Sequence, residues 1–182
     1  MKRIVRFAVF AIAASTGAVC APTAPSPYVD QKNAAIKALS AAEQSALLDG
    51  QGMGFAKAAE LNGYPGPRHV LDLAQALELT HSQQLATQAL FERMRADARR
   101  TGTQLVAAES TLDFLYATRV ATPASVNAQL AKIEGLRARL RGIHLNAHLE
   151  QAALLTSRQA DLYSKLRGYS TGDAHQPGHH GH

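Results

Sequence analysis

The sequence predicts an all-α fold: an elongated antiparallel helical hairpin with short flanking helices. Two long stretches each carry one apolar stripe at alternating steps of three and four residues, which keeps the stripe on one helix face. The first stripe comprises Phe91, Met94, Ala98, Thr101, Leu105, Ala108, Leu112 and Leu115, and the second comprises Val126, Leu130, Ile133, Leu136, Leu140, Ile143, Ala147 and Leu154. Thr122 and Pro123 mark the second helix start after a short connection, so the two helices should be antiparallel.

The pentad LTHSQ (79–83) marks the start of the first long helix. Thr80 can cap the helix with its hydroxyl, and Gln83 can reach back to the Thr80 amide, which makes a capping box. A helix from about His81 to about Tyr116 would be about 55 Å long, too long for a compact globule of this size. We therefore expect an elongated hairpin or a dimer.

The pentad LTSRQ (155–159) repeats the pattern and begins the last helix, with Thr156 and Gln159 as its capping pair. That helix should end near Gly168. The two pentads together form a weak internal repeat.

Shorter helices are expected before the first pentad. One amphipathic helix, frayed at its start, should lie between Tyr28 and about Leu48, and Pro67 begins another after a Gly- and Pro-rich turn at 62–67. Gly102 within the first long helix indicates either a close crossing or a bend.

The N-terminus has the pattern of a secretory signal peptide. Lys2, Arg3 and Arg6 precede an apolar run at 7–19, and a segment rich in Pro, Ala and Ser follows at 21–27. The apolar run is shorter than the roughly 20 residues that span a bilayer. Export of the chain is therefore predicted.

The position of signal cleavage is left open by the sequence. Cleavage before Ala21 and cleavage after Ala18 both place small residues suitably. A lipoprotein would need Cys20 as the modified residue, but Val19 stands where Gly or Ala is expected. With one cysteine at most, no intramolecular disulfide and no thiolate metal cluster are expected.

The charge balance weakens any nucleic-acid hypothesis. The whole chain has 19 Lys and Arg against 14 Asp and Glu, but three of the basic residues lie in the signal, which leaves a net charge of +2. The chain also has no Trp and no interleaving of aromatic and basic residues. No nucleic-acid partner is predicted.

Four segments follow from these patterns. We predict a signal peptide (1–20), a flexible N-terminal segment (21–37), a helical domain (38–169) and a disordered His-rich tail (170–182). The tail contains His175, His179, His180 and His182, interrupted by glycines, and could bind metal transiently.

His144 and His148 are the strongest metal-ligand candidates within the helices. They lie one turn apart on one helix face, a spacing that can present two imidazoles to one zinc, nickel, cobalt or copper ion. A third ligand would have to come from Glu150 or from a partner chain. The alternative is a pair of semi-exposed histidines that flanks the apolar stripe.

Arginines are concentrated at two places on the predicted hairpin. Arg93, Arg95, Arg99 and Arg100 lie among acidic residues on the first helix, and Arg137 and Arg141 lie on the second. They form either an attractive surface for partly unfolded chains or an ordinary solvated face. The carboxylates Glu109 and Asp113 are interpreted as part of a solvated helix face.

With its two LTxxQ pentads, export signal and helical interior, the chain resembles the Spy/CpxP family of periplasmic proteins, which includes zinc resistance-associated proteins and heavy-metal sensors. The resemblance runs from about Gly50 to Tyr169. It implies a periplasmic location and an antiparallel homodimer of bent hairpins, a shallow cradle whose concave face holds unfolded clients without ATP. Members also inhibit envelope stress sensor kinases or report divalent metals.

Three function classes were compared. The first is a chaperone of the envelope stress response that binds unfolded periplasmic proteins and requires no cofactor, with a membrane sensor kinase or an anti-sigma system as a further partner. The second is a heavy-metal sensor or buffer protein. An enzyme is not expected, because the sequence has no nucleophile motif, no phosphate-binding loop and no three-ligand metal constellation.

Overall fold

The computed structural model describes residues 24–169, and within that range the chain forms helices and turns without strands. The predicted signal peptide and His-rich tail lie outside the described residues. Residues 24–32 belong to a separate unit, which contains one 3-10 turn at Val29–Gln31. The second unit begins at Asn33.

Six α-helices make up the described part of this unit, residues 33–169. They are α1 (Ala41–Leu48), α2 (Lys57–Glu60), α3 (Pro67–Asp72), α4 (His81–Ala117), α5 (Pro123–Leu154) and α6 (Ser157–Leu166). The predicted all-α hairpin with short flanking helices is confirmed. No helix in the range 24–169 combines the length and hydropathy that a membrane crossing needs.

The hairpin consists of α4, with 37 residues, and α5, with 32. Side chains pair across it in antiparallel order: Gln151 donates to Thr87, and Gln129 donates to the Ala108 carbonyl far along α4. We call the end at Thr80 and Leu154 the hairpin base and the end at residues 114–122 the hairpin tip.

α1 begins later in the chain than expected, because residues 28–40 form turns and one 3-10 turn and no α-helix. α1 begins at Ala41, where Ser40 accepts from the Glu43 amide and the Glu43 carboxylate accepts from the Ser40 amide. The expected helix from Tyr28 to Leu48 is therefore wrong in its first half. Ile36, within the segment predicted to be flexible, is buried.

Two apolar clusters hold the unit together. The larger lies between α1, α4, α5 and the segment before α1, and its buried members are Ile36, Leu39, Leu47, Ala98, Leu105, Ala108, Ile133 and Leu140. The smaller lies at the hairpin base and consists of Val70, Leu77, Leu79 and Tyr163, with Leu155 partly buried against it. The leucines of both pentads thus pack between helices.

Gly102 is the point where α1 crosses α4. A Cβ atom built on Gly102 would lie 2.2 Å from the Leu47 carbonyl oxygen, so no larger residue fits without displacing α1. Of the two possibilities that the sequence left open, the structure has the close crossing.

Candidate functional site

The two pentads meet at the hairpin base through their glutamines. The Gln83 amide nitrogen donates to Gln159 Oε1 at 2.9 Å, and the Gln159 amide nitrogen donates to Gln83 Oε1 at 3.1 Å. The same two nitrogens also donate to the carbonyls of Leu154 and Leu77. Because Gln83 and Gln159 are 76 positions apart, no local pattern in the sequence predicts their contact.

Both predicted capping boxes are present at the same junction. Thr80 Oγ1 accepts from the backbone amide of Gln83, and Gln83 Oε1 accepts from the backbone amide of Thr80. Thr156 and Gln159 make the same two hydrogen bonds. Each glutamine therefore closes its own helix start and binds the other helix start. The pentads are structural elements that join α4 to the α5–α6 corner.

Two of the candidate arginines bind the end of α1. Arg95 Nε donates to the Asp49 carbonyl and Arg99 Nε donates to the Leu48 carbonyl, both at 3.2 Å. Carbonyls at a helix C-terminus lack partners within the helix and attract cations. These two side chains thus hold α1 against α4.

Arg93 and Arg100 lie apart from that pair and are exposed. Arg93 forms an ion pair with Glu150 across the hairpin, and Arg100 forms one with Asp97 on its own helix. Glu150, the expected third metal ligand beside the histidines, is thus engaged by Arg93. Exposed pairs of this kind contribute between nothing and about 1 kcal/mol.

Arg137 and Arg141 line one open groove between α5 and the segment around α2. The groove has a volume of about 760 Å³ and is lined by Met53, Phe55 and Leu61 as well as by the two arginines. Met53 and Leu61 are 42% and 55% exposed. We call this surface the arginine groove, and it combines apolar side chains with cations and with one carboxylate, that of Glu134.

The Arg137 guanidinium also pairs with Glu109, whose side chain is buried under the hairpin surface. Asp113 pairs with Lys37 at 3.0 Å and is largely covered. The interpretation of Glu109 and Asp113 as a solvated face is therefore wrong, because each carboxylate is held by a cation from another part of the chain. Arg137 has a structural function that Arg141 does not share.

His144 and His148 are buried, so the semi-exposed alternative is wrong. His144 is 3% exposed, its ring is stacked on that of Phe55 with centroids 5.9 Å apart, and its Nε2 has no hydrogen-bond partner among the described residues. Burial lowers the pKa of His144, and the neighbouring His148 lowers it further. The ring is consequently neutral at pH 7.

The orientation of His148 is fixed by a backbone carbonyl. Its Nδ1 lies 2.8 Å from the Tyr64 oxygen, and because a carbonyl only accepts, Nδ1 must carry the proton. The other ring nitrogen, Nε2, is not used by this hydrogen bond. A Cβ atom on Gly66 would lie 3.0 Å from that nitrogen, so the close approach requires glycine.

Both histidines line a cavity of about 470 Å³, together with His69, Phe91 and Met94. This histidine cavity is closed on one side by the loop after α1 and by the start of α3. Among residues 24–169, no three His, Cys, Asp or Glu side chains stand close enough to hold a metal ion. The two histidines share one cavity and would supply at most two ligands of a tetrahedral site, and His175, His179, His180 and His182 lie outside the described residues.

Glu60 is a partly buried hub that sequence reasoning missed. Its Oε1 accepts from the Tyr163 hydroxyl at 2.6 Å, from the Tyr169 hydroxyl at 3.1 Å and from Arg167 Nε at 3.3 Å. Its Oε2 lies 3.7 Å from His148 Nδ1. Burial and this carboxylate raise the pKa of Tyr163. The hub ties α2 and α6 to the histidine cavity.

Comparison of the chain with known protein families, with curated proteins and with solved structures finds no match.

Proposed function

We propose that the protein is an ATP-independent chaperone of the envelope stress response, resembling the Spy/CpxP family, which binds unfolded proteins in the periplasm. The observation that carries the proposal is the arginine groove, an open surface on which exposed Met53 and Leu61 lie beside Arg141. Unfolded chains expose apolar side chains, which such a surface can cover, while cations attract acidic segments. A homodimer is part of the same proposal.

The six arginines contribute differently in this proposal. Arg95, Arg99 and Arg137 hold the fold together through carbonyls and a buried carboxylate. Arg141 lines the groove, and none of the ion pairs between described side chains includes it. Client attraction is therefore assigned mainly to Arg141, with Arg93 and Arg100 as exposed contributors.

The test is light scattering of an aggregating client in the presence of the full chain, without ATP and with a chelator, at low and high salt. The proposal predicts suppression of aggregation that weakens at high salt, because salt screens exposed charges. Suppression should also weaken in Arg141→Ala, which leaves the Arg137 pair intact. Absence of suppression, or suppression that the chelator abolishes, would contradict the proposal.

The second candidate is a sensor or buffer of divalent metals, and it is favoured by one observation. His144 Nε2 is buried without a hydrogen-bond partner among the described residues, next to His148, whose Nδ1 donates to the Tyr64 carbonyl and whose Nε2 is left for a ligand. Two imidazole nitrogens suit zinc, nickel, cobalt or copper. A complete site would take further ligands from the His-rich tail or a partner chain.

Zinc titration of two matched variants tests this candidate. The first carries His144→Phe and His148→Asn, where Phe can keep the stack on Phe55 and Asn can still donate to the Tyr64 carbonyl. The second replaces the four tail histidines by Gln. Tight binding that the first variant loses and the second keeps would support a site in the histidine cavity; the reverse result would assign binding to the tail.

A further inference from the structure

The hairpin tip exposes large apolar side chains that belong to neither apolar cluster. Phe114, Tyr116 and Val120 are 60%, 60% and 56% exposed. Phe114 lies three residues before the end of α4, so the Cα atoms of Phe114 and Tyr116 lie within about 5 Å of that end along the helix axis, and Val120 lies in the turn that follows. They lie at the end of the hairpin that is opposite its base.

The charges around the tip are distinctive. From Phe114 to Ala131 the sequence contains one charged residue, Arg119, and no acid. The nearest carboxylate, Asp113, is paired with Lys37 at 3.0 Å. A surface that meets the tip end-on therefore meets aromatic and aliphatic groups around a single positive charge.

Arg119 adopts a backbone conformation that normally favours glycine. Its φ is +61°, and the amides of Val120 and Ala121 both donate to the Leu115 carbonyl in the reversal that follows. A non-glycine residue in this region carries strain of about 1 kcal/mol or more. The chain thus has Arg at the apex where Gly would stabilise the turn better.

We propose that the hairpin tip docks end-on onto the surface of an anionic phospholipid bilayer. Tyr and Phe suit the boundary between headgroups and acyl chains, and apolar groups of peripheral proteins enter that boundary by about 5–10 Å. The negative surface potential of the bilayer attracts the Arg119 guanidinium. The inference is independent of client binding and uses none of the residues of the arginine groove.

The test is co-flotation of the full chain with vesicles of phosphatidylcholine alone or with added phosphatidylglycerol. Phe114→Ser with Tyr116→Ser forms the tip variant. Leu85→Ser with Leu149→Ser forms the base control, since these leucines are 58% and 53% exposed near the other end of the hairpin. All three proteins share the same N-terminal residues, so any contribution of those residues is common to them.

Wild type and the base control should float with the anionic vesicles, and the tip variant should bind at least about ten-fold more weakly. Arg119→Gly should bind about five-fold more weakly and yet unfold at a higher temperature, because it removes both the charge and the strain. Equal binding by wild type and the tip variant would overturn the proposal. The proposal would also be overturned if wild type did not bind vesicles and the tip variant no longer suppressed client aggregation, since the tip would then be a client-binding site.

Discussion

Gln83 and Gln159 are glutamines because their amides both accept and donate. In the capping box of α1, Glu43 closes the helix start on Ser40 with a carboxylate and makes no further contact of this kind. At the two pentads, the amide nitrogens donate to the facing Gln and to the carbonyls of Leu154 and Leu77. A carboxylate could accept the hydrogen bond of the cap but could not donate the hydrogen bonds of the junction.

Exchanging amide and carboxylate at these boxes should therefore have unequal effects. In Gln83→Glu the carboxylate still accepts the hydrogen bond of the cap, but it cannot donate to Gln159 Oε1 or to the Leu154 carbonyl. The free energy of unfolding should therefore decrease by about 2 kcal/mol. Glu43→Gln should leave it nearly unchanged, because Glu43 is exposed and its side chain makes only the cap. Urea unfolding of both variants measures the difference, and equal losses would mean that the junction contributes nothing.

His144 predicts a dependence of stability on pH. Its pKa is lowered in the folded state, so the unfolded chain binds a proton more readily as the pH falls through the ordinary histidine value near 6.5. The free energy of unfolding is therefore not reduced by His144 above that pH, and it decreases as the pH falls below it. Between about pH 7.5 and about pH 5.5, the melting temperature should fall more in wild type than in His144→Phe, measured with chelator present. Identical pH profiles would show that His144 is not the group responsible.

At the scale of helices, the crossing of α1 over α4 depends on Gly102. Gly102→Ala gains helix propensity but places a methyl group against the Leu47 carbonyl, and should destabilise the fold by about 1–3 kcal/mol. Gly135 lies in α5 with nothing within 4 Å of a built Cβ, so Gly135→Ala should stabilise by up to about 1 kcal/mol. Thermal unfolding of the pair gives opposite signs if the crossing is as described, and two gains would contradict it.

The helices that the sequence predicted well are those with strong local signals. Thr80, Thr122 and Thr156 each begin a helix where their capping residues predicted, because a capping box spans only four residues. The same signal at Ser40 and Glu43 was available and overlooked, which is why α1 was expected to begin too early.

The contacts that assemble the site could not be predicted in this way. Glu60 binds Tyr163 and Arg167 from more than 100 positions along the chain, and Arg137 neutralises Glu109 from the other long helix. Helical spacing places a residue on a face but does not say which element covers that face. The histidine pair was identified by its spacing, while its burial depends on the loop and helix that close the cavity.

At the scale of the whole unit, the hairpin separates three surfaces. The arginine groove lies beside α2, the histidine cavity lies under the loop after α1, and the tip is formed by residues 114–122. The pentad junction and the Glu60 hub stabilise the base and leave these surfaces to other partners. Phe55 lines the arginine groove and stacks on His144 of the histidine cavity, so only variants that spare Phe55 should leave the other surfaces intact.

The most direct test of the proposed function compares the groove with an equally exposed apolar surface. A groove variant carries Leu61→Ser and Met53→Asn, because Asn tolerates the φ of +43° at that position. The base control with Leu85→Ser and Leu149→Ser removes a similar number of exposed apolar side chains elsewhere. Suppression of client aggregation is then measured at equal concentrations, without ATP and with chelator.

The account predicts that the groove variant loses suppression while the base control and wild type retain it, with all three equally stable to urea. A groove variant as active as wild type would contradict the assignment of client binding to the arginine groove.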